Sequence, residues 1–246
     1  MYEQLKKRIP KTFIKNNEKL LRNLVSIFYI GNNYQCNICN FKMSRFIKLN
    51  NNNRLCPKCG SLPRTRKLWD LLQHEIQDKT VLHFSPSSSI KRKIELFDNI
   101  TYVTSDYAGE FIATKRLDIE SIDEPNDTYD IIICYHVLEH IEHDIKAMKE
   151  LLRIIKPTGR CFIQTPFKTG DTYENDEVKT DEERLIHFGQ KDHVRIYSAE
   201  NLMDRLESVG FHTKLRVYET ADNNTYGFNS NEKVIIAEKP VTSKDV

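Results

Sequence analysis

The chain has 246 residues, of which 39% are hydrophobic and 29% are charged, and this suits one ordinary catalytic domain with a smaller module. The composition excludes collagen-like, mucin-like and prion-like chains. The formal net charge of +2 is unevenly distributed: residues 1–70 carry a net charge of +12, and residues 71–246 carry −10. Opposite charges indicate two modules, and the basic one can attract an anionic partner or dock on the acidic one.

Membrane-spanning and secretory segments are not expected. The longest apolar stretch near the start, residues 24–30, is far shorter than the roughly 20 residues that span a bilayer. The N-terminus has neither an apolar core nor a small-residue cleavage site typical of a signal peptide. We therefore expect a cytoplasmic protein, in which thiols stay reduced.

The first third of the chain is expected to hold two helices around a region of little periodicity. Helical spacing of apolar residues predicts a helical segment over residues 1–33, with the helix beginning after Pro10. A linking helix over residues 62–78 should be capped by Ser61, with Pro63 in its first turn, and should run to about Gln77.

The intervening segment, residues 34–61, carries two Cys-x-x-Cys pairs separated by 16 residues. Each pair places two thiolates on one tight turn, and two such turns supply the four sulfur ligands that structural zinc favours. The predicted zinc ligands are Cys36, Cys39, Cys56 and Cys59. Cys134 and Cys161 lie in apolar strands and are interpreted as small core residues.

Residues 79–240 alternate short apolar strands with helices, which predicts an α/β domain. We expect a mostly parallel, Rossmann-like sheet of seven strands with helices on both faces and an antiparallel last strand. The strands are expected at 81–84, 101–105, 129–134, 160–165, 214–218 and 233–237, with a weaker seventh near 115–118. The helices are expected at 88–96, 144–155 and 199–208, and residues 241–246 form a tail.

One stretch, residues 168–197, is too long for an ordinary loop. Seven carboxylates fall within residues 171–183, and Thr180 with Glu183 fits a capping box, so a short helix is expected inside it. Excursions of this length in compact domains are functional lids or disordered segments.

Acidic residues lie at the end of the strand expected at 101–105 and at the end of the weaker strand expected near 115–118. Open α/β sheets bind ligands beyond the carboxyl ends of their strands. Asp106 comes 22 residues after Phe84, and its carboxylate can accept hydrogen bonds from both hydroxyls of a ribose. Asp118 is a second acid of this kind. The first strand leads into serines and a helix N-terminus, but no GxGxxG motif follows it, so a dehydrogenase is not favoured.

The strand expected at 129–134 and the helix after it carry a family resemblance. The segment Asp130-Ile-Ile-Ile, the tripeptide Leu138-Glu139-His140 and the turn Lys156-Pro-Thr-Gly159 together resemble class I S-adenosylmethionine-dependent methyltransferases of the type 11 kind, over about residues 79–240.

A narrower resemblance extends to a bacterial subgroup that has a four-cysteine zinc knuckle before the methyltransferase domain. It rests on three stretches of sequence: Cys56-Pro-x-Cys59-Gly-Ser-Leu-x-Arg64-x-Arg66, Val81-Leu-His-Phe-x-Pro86 and Phe188-Gly-Gln-x-Asp192-His-Val-Arg195.

The resemblance implies a set of residues that bind S-adenosylmethionine. The first loop holds the methionine part of the cofactor, through His83, Phe84, Ser85, Pro86 and Ser87. Asp106 holds the ribose, Asp118 and Ile119 border the adenine, and Tyr135 and His136 flank the methyl-donor side. This first loop departs from the family pattern, because no glycine occurs between Val81 and Leu96.

Each assignment has a structural alternative. Asp106 can be a solvated acid at a strand end, and Asp118 a turn residue. His136 and His140 can be helix-face residues without a role. Arg64 and Arg66 are expected to form salt bridges with the acidic part of the chain rather than to contact substrate.

Methyl transfer from a sulfonium needs mainly positioning and exclusion of water, although an oxygen acceptor often needs a base. The candidate bases are His187 and His193, and Arg195 is a candidate for binding an anionic acceptor group. Residues 168–197 are then a lid over the acceptor pocket. The alternative is that His193 and Arg195 fix this segment to the sheet.

Three functions remain open from the sequence. The leading one is methylation of a small molecule or a sugar-containing precursor. The second is RNA or protein methylation with the basic zinc module as the docking part; strong nucleic-acid binding is not expected, because few aromatic residues interleave with the basic ones. The third is a non-catalytic binding protein of the same fold, supported only by the glycine-free loop.

Overall fold

A computed structural model describes residues 11–50, 53–109, 111–220 and 223–241. Residues 1–10 of the expected helical segment and residues 242–246 of the expected tail lie outside these ranges. The chain forms two compact units. The first, here called the cysteine unit, contains the chain up to Glu75 together with Ser87–Phe97 and Tyr218–Glu232. The second, the sheet unit, contains Ile76–Pro86, Asp98–Val217 and the chain from Lys233 onward.

In its described residues, the cysteine unit contains three helices and two short antiparallel ladders, β1 with β2 and β3 with β4. Its elements are α1 (Lys11–Ile27), β1 (Ile30–Gln35), β2 (Lys42–Met43), β3 (Ile47–Lys48), β4 (Arg54–Leu55), α2 (Pro63–Leu72) and α3 (Ser88–Ile94).

Helix α2 is shorter than expected at both ends. Its N-cap residue is Leu62 and no side chain caps it, so the expected cap by Ser61 is wrong. The physical reason is that the Ser61 hydroxyl lies instead against the sulfurs of Cys36 and Cys59, at 3.3 and 3.2 Å. Pro63 occupies the first turn as expected, where its missing N–H costs nothing.

The sheet unit is built on a six-stranded sheet with the order β11-β12-β8-β7-β5-β6. Its strands are β5 (Thr80–Phe84), β6 (Thr101–Ser105), β7 (Tyr129–Tyr135), β8 (Ile155–Gln164), β11 (His212–Tyr218) and β12 (Glu232–Glu238). Strands β5 to β8 pair in parallel, and β12 pairs antiparallel with β8. This confirms the expected α/β class and the antiparallel last strand.

Both faces of the central strands are buried, as is typical of parallel sheets. Ile132 and Leu82 belong to a hydrophobic cluster that also includes residues of helices α4 (Asp144–Ile154) and α6 (Ala199–Ser208). Val81 and Ile131, at the alternate strand positions, are equally buried. A short 3-10 helix, Leu138–His140, connects β7 to α4.

The expected seventh strand near residues 115–118 is wrong. Only an isolated bridge joins Lys115 to Ser105 at the edge of the described sheet. Side chains supply part of the pairing here, beside backbone bonds from Thr114 and Lys115 to the Thr104 carbonyl: the Thr114 hydroxyl accepts from the backbone N–H of Thr104, and the Ser105 hydroxyl accepts from that of Leu117. The backbone is therefore satisfied without regular strand pairing.

Residues 168–197 contain a helix, α5 (Asp181–Phe188), and a two-residue ladder of β9 (Tyr173–Glu174) with β10 (Arg195–Ile196). The expected capping box is present, with Thr180 and Glu183 each accepting from the other's backbone N–H. Gly189 ends the helix at a φ of 82°, a conformation that glycine adopts without strain. Among the described residues, no helix is both long and apolar enough to cross a membrane.

Candidate functional site

Four cysteine sulfurs meet in the cysteine unit, all within 4.8 Å of one another. The Cys36 and Cys59 sulfurs are 3.6 Å apart, and those of Cys39 and Cys56 are 3.8 Å apart. Four sulfurs bound tetrahedrally at the usual Zn–S distance of about 2.3 Å would lie about 3.8 Å apart. Hydrogen bonds from the other three thiols lower the pKa of Cys36, and the bond from Cys39 has the largest effect. The donor set therefore fits a tetrahedral metal ion.

Arg66 is fully buried beside these cysteines. Its guanidinium donates to the backbone carbonyls of Ser61, Arg54, Tyr226 and Gly227, at 2.6 to 3.0 Å, and stacks on the ring of Phe46. Burial lowers the pKa of Arg66 to about 10, although the cysteine thiolates act against that shift.

The expected salt bridge of Arg66 with the acidic part of the chain is therefore wrong. The guanidinium is enclosed, and carbonyl oxygens, together with the Ser61 hydroxyl, take all of its hydrogen bonds. The side chain consequently ties the loop that contains Tyr226 and Gly227 to the cysteine cluster.

The loop after β5 begins with a strained serine. Ser85 has a φ of +47°, a region that favours glycine, and its N–H donates to the carbonyl of Ser105. His83 precedes it with a buried ring whose Nδ1 lies 2.9 Å from the Tyr102 hydroxyl. Burial lowers the pKa of His83 to about 3. Pro86 ends this stretch of the sheet unit, and Ser87 is the N-cap residue of α3 in the cysteine unit.

Asp106 lies at the carboxyl end of β6 with a buried side chain. One oxygen accepts from the Ser85 hydroxyl and the other from the backbone N–H of Phe111, both at 2.9 Å. Each carboxylate oxygen has two lone pairs, so the described contacts leave one on each oxygen for a ligand. Ser85 thus fixes the carboxylate while supplying the left-handed turn.

The two residues assigned to the adenine edge differ in environment. Asp118 is exposed, and its carboxylate accepts from the backbone N–H of Glu120 two residues later, which is a turn contact. Ile119 is buried in the hydrophobic cluster of the sheet. These contacts favour the turn alternative for Asp118.

The ends of β7 and β8 carry buried polar atoms without partners among the described residues. These are Nε2 of His136, Oε1 of Gln164 and Oγ1 of Thr165. His136 has a φ of +55°, and its backbone N–H donates to the carbonyl of Gln164 at 2.8 Å, so the two strand ends are joined. Native proteins rarely leave buried polar atoms unpaired, and such groups often mark a binding site.

A second cluster lies next in the chain to this strand end. Glu139, His140 and His193 each place a side-chain ligand atom within 4.8 Å of the others. Glu139 and His193 are 1% and 3% exposed, and Glu139 Oε2 and His193 Nε2 have no hydrogen-bond partner in the described part of the chain. Burial, followed by the charge of His140, lowers the pKa of His193.

Glu139 is a site residue that was not predicted from the sequence, where it stands only within the family motif Leu138-Glu139-His140. The signal that was available is the adjacent Glu139-His140 pair after a buried strand, combined with His193 in the long excursion.

The other two candidate catalytic residues have different surroundings. Arg195 is buried, forms an ion pair with Glu174 at 2.9 Å, and donates to the carbonyls of Ile141 and Glu142. These contacts favour the alternative that Arg195 fixes the segment. His187 is exposed on α5, with Nδ1 2.7 Å from the Tyr173 hydroxyl, and does not belong to the Glu139 cluster.

Asp144 adds further contacts that hold the 168–197 segment in place. It is 4% exposed at the start of α4 and accepts from the Tyr197 hydroxyl and from Arg205, both at 2.6 Å. Arg205 also reaches Glu174, so residues on both sides of β10 are held to α4. Paired and hydrogen-bonded charges of this kind fix geometry at a buried position.

Comparison with known proteins identifies the sheet unit. The family profile described as a methyltransferase domain matches residues 70–214, more than half of the chain. No curated protein matches the sequence. Among solved structures, the (4+2)-cyclase SpnF is 14% identical with a TM-score of 0.50, covering 72% of this chain and 82% of its own.

The YcgJ protein of Bacillus subtilis is 16% identical with a TM-score of 0.50, covering 71% of this chain and 98% of its own. The methyltransferase solved with the Trm112 activator of Haloferax volcanii is 11% identical with a TM-score of 0.49, covering 73% and 94%. Identities this low show the fold alone, whereas the family profile shows membership. The chain therefore belongs to the methyltransferase-domain family and is a class I S-adenosylmethionine-dependent methyltransferase with an N-terminal four-cysteine cluster.

Proposed function

We propose that this enzyme binds S-adenosylmethionine at the carboxyl ends of β5, β6 and β7 and methylates a small molecule or a sugar-containing precursor. The observation that carries the proposal is a set of buried polar atoms at the ends of β7 and β8, on His136, Gln164 and Thr165, that have no hydrogen-bond partner in the described part of the chain. Ligands of open α/β sheets bind at this edge.

The cofactor would be held by the residues that the family pattern assigns. His83, Phe84, Ser85, Pro86 and Ser87 would border its methionine part. His83 would act through its backbone, because its ring is bonded to Tyr102. When bound, the cofactor supplies a methyl group that is already activated on a sulfonium.

Asp106 would hold the ribose through the lone pairs that Ser85 and Phe111 leave available. In this proposal Ile119 stays on the adenine side together with Asp118, whose carboxylate also makes the turn contact with Glu120, and Tyr135 and His136 stay on the methyl-donor side. Preorganised contacts of this kind contribute by orientation and by exclusion of water.

Of the three candidate catalytic residues, we propose that His193 acts on the acceptor. Its Nε2 atom is buried with no hydrogen-bond partner among the described residues, and burial lowers the pKa of the ring, which favours the neutral form. Arg195 is proposed to position the 168–197 segment, and His187 to stabilise its helix through Tyr173.

The cofactor assignment is tested by calorimetric titration with S-adenosylmethionine. Asp106→Ala removes the two proposed ribose hydrogen bonds, so we expect affinity to fall by about 2–4 kcal/mol. Asp123→Ala, at an exposed acid, is the matched control and should bind as the wild type does. Equal affinity in Asp106→Ala and Asp123→Ala would place the ribose elsewhere.

We also propose that the four cysteines bind structural zinc. Four thiolates and Zn²⁺ carry a net charge of −2, and the buried Arg66 guanidinium partly balances it, which supports a metal-thiolate centre over four neutral thiols. Structural sites of this kind leave no open position for catalysis.

Metal analysis of the purified protein should find about one zinc per chain. Cys56→Ser should lose it, whereas Cys161→Ser, at a buried core cysteine, should keep it. A wild-type protein that is folded and free of zinc would contradict the proposal.

A further inference from the structure

Three side chains of the sheet unit converge from two parts of the chain. Glu139 and His140 belong to the 3-10 helix after β7, and His193 lies just before β10. The backbone N–H of Val194 donates to the carbonyl of Glu139 at 2.9 Å, so the two parts are held together next to the cluster. The convergence is therefore supported by the backbone as well as by the side chains.

The cluster is incomplete as it stands. The Glu139 carboxylate is almost fully buried, and only one of its oxygens has a side-chain partner within the described ranges, His136 Nδ1 at 3.1 Å. His193 Nε2 is likewise buried and unpartnered. A buried carboxylate that is only partly hydrogen-bonded is costly, and neither orphan atom here is close to solvent. A cation between them would satisfy both.

The surrounding residues orient the ligands as they do in metal sites. Asp192 lies 3.1 Å from His140 Nδ1, and with Asp192 held there the ion would use Nε2 of His140. His136 orients Glu139 in the same way. Histidine ligands of metals usually donate their second nitrogen to a carboxylate or a carbonyl.

The spacing suits a single ion after a small adjustment. Three ligand atoms that each lie about 2.1 Å from one ion are about 3.0–3.6 Å apart. The three atoms here lie within 4.8 Å of one another, so side-chain rotations that bring them roughly 1–2 Å closer together close the site. Two imidazoles and one carboxylate are the donor set of divalent transition ions such as Zn²⁺, Fe²⁺ and Mn²⁺.

We propose that Glu139, His140 and His193 form a second metal site, which binds one divalent transition ion and leaves coordination positions open. The four-cysteine cluster, by contrast, fills a tetrahedral shell with sulfur. Open positions can take an oxygen atom of the acceptor and lower its pKa, so that with the ion bound His193 acts on the acceptor through the metal and not as a free base; this role rests on the proposed function.

The site is tested on the full-length protein with zinc already bound by the cysteines, and with no cofactor or acceptor present. Co²⁺ is titrated while the visible spectrum is recorded. Nitrogen- and oxygen-bound Co²⁺ gives weak d–d bands, whereas Co²⁺ that enters the cysteine cluster gives an intense sulfur charge-transfer band. We expect one equivalent of the first kind in the wild type.

Glu139→Gln and His193→Ala should each weaken Co²⁺ binding at least about tenfold. His140→Asn is the third variant, chosen because His140 is partly exposed and tolerates replacement more easily than the two buried ligands. His212→Ala, at an exposed histidine of β11, is the matched control and should bind as the wild type does. Thermal unfolding of each variant identifies any that fail to fold.

Absence of the d–d bands in the wild type, or equal Co²⁺ affinity in the folded Glu139, His193 and His140 variants and the wild type, would overturn the proposal. Because the titration contains no S-adenosylmethionine, its outcome is independent of cofactor binding. Co²⁺ binding by a protein that fails to bind S-adenosylmethionine would leave this site in place and remove the proposed function instead.

Discussion

Arg66 beside the four cysteines, and the cluster of Glu139, His140 and His193, both hold charged groups out of contact with water. They differ in whether those groups have hydrogen-bond partners. Arg66 donates to four backbone carbonyls and stacks on Phe46. Glu139 and His193 each retain a buried atom with no partner in the described chain. A buried charge whose hydrogen bonds are all made stabilises the fold, whereas a buried polar atom without a partner indicates a binding site.

The largest expected effect comes from removing the saturated charge. Arg66→Met leaves the carbonyls of Arg54, Ser61, Tyr226 and Gly227 without their donor and removes the cation beside the thiolates. We expect the free energy of unfolding to fall by about 3–5 kcal/mol, or the protein to fail to fold. Urea unfolding followed by fluorescence of the single tryptophan, Trp69, measures it.

Arg54→Met is the control for that change, because it removes the same charge from an exposed side chain and leaves the Arg54 carbonyl in place. It should alter stability by less than about 0.5 kcal/mol. If the two variants were equally stable, Arg66 would not be the centre of the cysteine unit.

A second prediction concerns His83, a buried group that is satisfied only while it is neutral. Its pKa is about 3 in the folded protein and 6.5 in the unfolded chain, so below pH 6.5 the unfolded chain binds a proton that the folded protein does not. The neutral His83 ring therefore makes its full contribution to the free energy of unfolding above pH 6.5, and this contribution decreases as the pH falls below that value. Between pH 7.5 and pH 5 the loss should be about 2 kcal/mol.

Urea unfolding of the wild type and His83→Gln at both pH values isolates this contribution. The variant keeps a partner for Tyr102 but has no proton to gain, so its stability should depend less on pH by about that amount. His212→Gln, at an exposed histidine, should keep the wild-type pH dependence. A wild-type dependence in His83→Gln would show that the His83 ring is accessible to protons.

The smallest expected effect comes from removing a hydrogen bond that holds the 168–197 segment in place but does not belong to the proposed metal site. Tyr197→Phe removes one hydrogen bond to Asp144, which retains its ion pair with Arg205. Stability should fall by about 1–2 kcal/mol, as for a bond to a charged group. Co²⁺ affinity should remain unchanged, since Tyr197 does not belong to the Glu139 cluster.

Tyr173→Phe serves as the comparison, because its hydroxyl contacts the exposed ring of His187. Its stability should stay within about 0.5 kcal/mol of the wild type. A large loss of Co²⁺ affinity in Tyr197→Phe would mean that anchoring and metal binding are not separable.

Features encoded locally were predicted well from the sequence. The helix at Ala199–Ser208 and the capping box of Thr180 with Glu183 depend on residues a few positions apart. The seventh strand was wrong because Thr114 and Ser105 satisfy the backbone with side chains, which an apolar pattern does not reveal.

Features that join distant residues were not predictable in the same way. Arg66 finds two of its acceptors 160 and 161 residues later, and His193 meets Glu139 across more than fifty residues. A single sequence gives the residue types that suit a site, but only the fold shows which of them meet.

Methyl transfer from S-adenosylmethionine to a small acceptor is tested by following the methyl group itself. The protein is incubated with S-adenosylmethionine tritiated in its methyl group and with an extract of its source cells, separated into small-molecule, RNA and protein fractions. We expect label in the small-molecule fraction with the wild type and with Asp123→Ala, and much less with Asp106→Ala. Label confined to RNA or protein, or no transfer by a protein that binds the cofactor, would contradict it.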